Sequence, residues 1–260
     1  MCFSLRNKSL SNVNQFTSLR GTVEKQVEMS RHQIDFLKSL DTEEFYNKDE
    51  DEVRRYAQST VQELVQLGNQ ATQELIELLQ TEFTWSCFFA LTIFRETKDP
   101  QAVPALIKFL KRESDDSMAN EEAMFALQDI GDPSINPLIE DIEEAFDNKK
   151  YNSYLVDALT GIIGPDSYDF MVKITKDYIG KPWRYKVWFR VEDFTYNFVK
   201  QGRTDAISFL RQVLDMKSIT GSEKHELEDT IRALEDPDGY EKDMEETEKE
   251  LSDATKKADV

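Results

Sequence analysis

Cysteine, histidine, glycine and proline are all scarce in this chain, and each scarcity removes a class of protein. Two cysteines, Cys2 and Cys87, in 260 residues build no disulfide framework. Neither stands in a C-x-x-C pair, which fits a reducing, cytoplasmic setting. Two histidines, His32 and His225, lie far apart in sequence and offer little to a metal centre. Nine glycines and seven prolines are few for a β-sandwich, whose turns consume both, and natural for a helical protein. Long apolar runs are missing too: "CFFALTIF", residues 87–94, stops far short of the ~20 residues a membrane span requires. Finally, 32 basic residues face 51 acidic ones, a net charge of −19. A polyanion such as DNA or RNA is repelled by that balance, which argues against nucleic acid as the partner.

What is present is enough for a core and strongly periodic. The stretch "ALQDIGDPSINPLIEDI", 126–142, ends one helix at Ile130-Gly131 and begins another. Asp132 is a capping residue, Pro133 sits where a missing N–H costs nothing, and Ile135, Leu138, Ile139 and Ile142 recur at helical spacing. The same pattern stands 33 residues earlier as "KDPQAVPALIKFL", with Asp99-Pro100 for Asp132-Pro133 and Val103, Leu106, Ile107 and Leu110 in the apolar phase. Further copies begin at Gly68, Gly164 and Gly202, and steps of about thirty to thirty-eight residues connect all five. Second helices are expected between these junctions, in "TWSCFFALTIFRE", "NEEAMFALQDI", "YNSYLVDALTGII", "RYKVWFRVEDFTYNFV" and "KHELEDTIRALE".

"ALQDIGDPSINPLI" resembles the short HEAT-like repeat of the phycobilin lyase type, whose pattern runs Ala-Leu, Gly-Asp-Pro, then Val-Pro-x-Leu. The resemblance is closest over 99–142, weaker at 68 and 164, and poorest at 202. It implies an all-α fold, a right-handed α-solenoid of about five to six helix pairs. The expected organisation is a flexible N-terminal arm (1–19), a capping helix with an acidic connection (20–50), the repeats (51–235) and an acidic tail (236–260). From Glu235 to Val260 eleven carboxylates face four lysines, with only a sparse stripe of Tyr240, Met244, Thr247 and Leu251.

Catalytic chemistry is not legible. "HELED", 225–229, begins like a metalloprotease helix but places Asp229 where the second histidine belongs. "DPDGYEKDMEE", 236–246, has its glycine at the fourth rather than the sixth position of a calcium loop. Cys87, within an apolar helix, reads as a core thiol. No catalytic residue, metal ligand or cofactor is nominated.

One segment runs against the bulk charge. "KPWRYKVWFR", Lys181–Arg190, holds four cations and four aromatics in ten residues. On a helix Trp183, Val187, Val191, Phe194 and Phe198 make an apolar stripe that Tyr185, Trp188, Phe189 and Tyr196 widen, which accounts for most of the aromatics as packing. Lys186 and Arg190 share another face. In HEAT-like solenoids the second helices usually line the concave surface, where partners bind. Trp183, Arg184, Lys186, Trp188 and Arg190 are therefore the candidate partner-binding residues. Internal neutralisation by Asp177, Glu192 and Asp193 is the competing account. The expected function is a non-enzymatic adaptor for another protein, one with a basic surface. An inhibitor or immunity protein masking a basic nuclease, and a phycobilin lyase-like protein, are the alternatives; a DNA glycosylase on a similar solenoid has less support, since it needs a continuous basic groove.

Overall fold

The computed structural model describes residues 28–80, 84–112, 117–148, 152–179, 191–216 and 219–243, with 247 and 249. The expected N-terminal arm 1–19, the Lys181–Arg190 segment and most of the tail beyond 243 lie outside the described residues. Every regular element among the described residues is helical, and no helix among them is long and apolar enough to cross a membrane.

The chain divides into two compact units at Ile130/Gly131. The first begins with α1 (residues 28–39), which buries Ile34 and Leu37 at the i, i+3 spacing of a helix face. A single turn, α2 (Glu43–Tyr46), leads to α3 (Glu50–Leu67), whose N-terminus is capped by Asp49 accepting from the Asp51 amide at 3.0 Å. Val53, Ala57 and Leu64 are the fully buried face of α3. After Gly68 come α4 (Thr72–Leu78), α5 (Trp85–Thr97), α6 (Val103–Leu110) and α7 (Ser117–Ile130). Helix α5 is buried nearly all round, from Trp85 to Leu91 without a break and again at Ile93 and Phe94. Its neighbours explain this, since α3, α4 and α7 all pack on it, and α6 packs on α7.

The second unit holds α8 (Asp132–Asn148), α9 (Ser153–Gly161), α10 (Pro165–Ile179), α11 (Val191–Lys200), α12 (Ile207–Leu214) and α13 (Gly221–Glu235), followed by a helical stretch over 237–243. Here α9 packs on α11 and α11 on α13, while α8, α10 and α12 lean on α9, α11 and α13 respectively. Each unit thus repeats one contact rule. Helices α4, α6, α8, α10 and α12 each lie on the helix that follows, while α3, α5 and α7 in the first unit and α9, α11 and α13 in the second pack one on the next.

The junctions form where the glycines and prolines require them. Gly68, Gly131 and Gly202 have φ of +58°, +78° and +60°, a region that costs an ordinary L-residue about 1–2 kcal/mol. The copy without glycine meets the same demand with Lys98, at φ +53°. Gly164 is the exception. Pro165 follows it and disfavours the α region for the preceding residue, Ile162 is extended (φ −92°, ψ 114°), and the Ser167 hydroxyl bonds to the Ile162 carbonyl at 2.8 Å. Pro104 and Pro137 stand 33 residues apart, Pro104 in the first turn of α6 and Pro137 inside α8.

Neighbouring junctions also touch within each unit. Asp99 uses one carboxylate oxygen to cap Gln101 N at 3.0 Å and the other to accept from the buried Thr72 hydroxyl of the preceding junction. In the second unit, Gln201 donates to Ser167 Oγ at 3.1 Å and to Asn197 Oδ1 at 2.8 Å, and buried Asn197 donates to the Thr160 carbonyl at 3.1 Å.

Candidate functional site

The five candidate residues from the sequence, Trp183, Arg184, Lys186, Trp188 and Arg190, fall outside the described residues, as do the side chains of Val191 and Phe194. Of the expected apolar stripe, Phe198 is fully buried and meets Tyr168 and Phe209 edge-on, at centroid separations of 5.5 and 6.4 Å. The earlier aromatic helix answers as packing: Trp85, Phe88 and Phe89 are buried and contact one another.

Among the described residues no group of three or more His, Cys, Asp or Glu side chains is placed to hold a metal. His225, with a side chain 74% exposed, lies on α13 beside Asp229 at 3.4 Å, one turn along the same helix. Cys87 is fully buried in α5.

A concavity of about 420 Å³ does form in the second unit, lined by Tyr168, Asp169, Val172, Lys173 and Lys176 of α10 and by Phe209 of α12. Helical spacing puts Asp169, Val172, Lys173 and Lys176 on neighbouring turns of one side of α10. Phe209 comes from 33 residues beyond Lys176. Its ring is partly exposed and lies 4.9 Å from the Lys176 ammonium, a cation–π distance. Lys173 is engaged with Glu143 of α8 and lies 6.0 Å from the Phe170 ring.

One wall is braced electrostatically. The Arg203 guanidinium lies 3.7 Å from the Tyr168 ring centroid, and two hydrogen bonds of 2.9 and 2.8 Å hold it to Asp205. That pairing pulls the Asp205 carboxyl below the ordinary aspartate range. Burial, reinforced by the Asp205 charge, pushes the Tyr168 phenol above its usual value, so it stays neutral at physiological pH. The groove therefore combines the rings of Tyr168 and Phe209 with the Lys173 and Lys176 ammonium groups and the Asp169 carboxylate.

This groove was not found by sequence reasoning. The spacing of Lys173 and Lys176 is the one local signal that could have pointed to it, and nothing local announced that Phe209 would complete the wall. No family model, curated protein or solved structure matches the chain.

Proposed function

We propose that this chain is a non-enzymatic adaptor, an α-solenoid of HEAT-like helix pairs that binds a partner protein along the face made by its second helices. The observation that carries the reading is the serial packing of second helices, α3 on α5 on α7 in one unit and α9 on α11 on α13 in the other. Such a row is what stacked helix pairs produce, and stacked pairs serve as extended binding surfaces. Junction-to-junction bonds, Thr72 to Asp99 and Gln201 to Ser167, support the same repeat logic. A charge of −19 favours a basic partner by raising its rate of encounter. Trp183, Arg184, Lys186, Trp188 and Arg190 are proposed as a local contact edge, because Trp and Arg are favoured interface anchors.

The test is a tagged pull-down from native lysate with the intact chain and with an Arg184→Glu/Lys186→Glu/Arg190→Glu variant. Recovery of one stoichiometric basic protein by the intact chain and its loss by the variant is the expected result. Recovery by both keeps the adaptor and discards the contact edge. Recovery of no protein by either discards the adaptor.

A further inference from the structure

We infer that an aromatic platform on the first unit, made by Phe36 of α1, Phe45 of α2 and Tyr56 of α3, docks an arginine-bearing basic segment of the partner. This rests on the adaptor reading and names the chemistry of one contact. The Tyr56 ring stacks against Phe36 with centroids 5.7 Å apart and leans on Phe45 at 5.3 Å. Even so, Tyr56 is 59% exposed, and Tyr46 beside Phe45 is 50% exposed. Three rings from three helices have been gathered, Tyr56 exposed and Phe36 and Phe45 partly buried.

The turn that presents Phe45 and Tyr46 is held by hydrogen bonds from the N-terminus of α5. Helix α2 reads Glu-Glu-Phe-Tyr and buries none of its residues, so burial of its own side chains does not explain its conformation. Hydrogen bonds do. The Trp85 indole N–H donates to the Phe45 carbonyl at 3.2 Å. Just upstream, Asp41 accepts from the Ser86 amide at 2.9 Å and from its hydroxyl at 2.6 Å. The N-terminus of α5 thereby anchors the loop, and the aromatics are set in place before any ligand arrives, which lowers the ordering cost of binding.

Charge selects the occupant. Residues 35–56 contain eight carboxylates against two lysines, Lys38 and Lys48, and two arginines, Arg54 and Arg55, of which Arg54 pairs with Glu50. Lys48 is already committed, bonded to Glu52 at 2.7 Å and set 5.8 Å from the Phe45 ring centroid. The chain's own cation thus shows the pairing the platform favours, carboxylate on one side and ring face on the other. A guanidinium lies flat on an aromatic face and donates in-plane to carboxylates, so arginine meets both demands at Tyr56.

The probe is a fluorescein-labelled Gly-Arg-Gly-Arg-Gly-Arg-Gly peptide, titrated by fluorescence anisotropy against the full chain, with its glutamate counterpart as control. The intact chain is expected to bind the arginine peptide and leave the glutamate peptide in solution. Tyr56→Ala should weaken binding about two- to fivefold, the worth of one exposed cation–π contact. Tyr56→Phe, which keeps the ring, should bind like the parent. Glu43→Gln/Glu44→Gln should weaken binding and flatten its dependence on salt. Circular dichroism verifies that the variants remain helical. The inference is overturned if the intact chain fails to bind, or if Tyr56→Ala binds as tightly as Tyr56→Phe, since bulk charge would then suffice. A lysate partner recovered equally by parent and Tyr56→Ala, with Tyr56-independent peptide binding, removes the platform and spares the adaptor. Tyr56-dependent peptide binding with no lysate partner keeps the platform and removes the adaptor.

Discussion

Gly131 and Gly164 are 33 residues apart and stand before the same kind of helix, yet they do different work. Gly131 has φ +78°, and a Cβ built on it would meet nothing within 4 Å. Its requirement is therefore purely conformational, and Gly131→Ala should destabilise the chain by about 1–2 kcal/mol through backbone strain alone. Gly164 lies outside the positive-φ region, and an added Cβ would rest 3.5 Å from Ile135 Cδ1, an ordinary contact. Gly164→Ala should therefore stay within about 1 kcal/mol of the parent. Urea unfolding of the two variants checks the difference; equal losses would mean the left-handed conformation at Gly131 is not what the junction depends on. Much of this was legible beforehand, because capping, proline placement and apolar phase are properties of a few consecutive residues. The distinction between the two glycines was legible only in part, since Pro165 after Gly164 stands in the sequence and the Ser167 hydroxyl reaching the Ile162 carbonyl does not. Nor did the sequence announce that Lys98 would take the conformation glycine takes elsewhere.

Between elements, polar contacts do what the apolar stripe cannot, which is to set one helix at one height against the next. Asn197 on α11 is fully buried, and its amide donates to the Thr160 carbonyl near the end of α9 while accepting from Gln201. Gln201 in turn reaches Ser167 on α10. Asn197→Ala should cost about 1–3 kcal/mol, because it leaves a buried carbonyl without this donor. Gln201→Ala, at a partly exposed site, should cost less than about 1 kcal/mol. Denaturation midpoints at matched slopes measure both, and a reversed order would show that the network is not anchored at Asn197. At this scale the sequence was half-readable. Helices α5, α7, α9 and α13 lie where their apolar periods put them, and α3 starts at Glu50, at the end of the expected acidic connection. The Tyr168–Phe209 groove and the Phe36–Phe45–Tyr56 platform were invisible, because each joins residues from separate helices and carries no periodic signature of its own.

For the whole molecule the decisive quantity is charge. With 51 acidic residues against 32 basic ones, long-range attraction to a basic protein precedes any contact, and screening by salt shortens its reach to about a Debye length. Among the described residues most ion pairs are exposed, several of them one helical turn apart, such as Lys48–Glu52 and Arg54–Glu50. Pairs of that kind add little to stability, and in the adaptor proposed above the acidic excess would act on encounter rather than on folding. The measurement that tests this most directly is the association rate of the recovered partner with the intact chain at low and at high ionic strength. The adaptor account predicts a fall of about tenfold or more, with a much smaller change in the dissociation rate. An association rate indifferent to salt would contradict it.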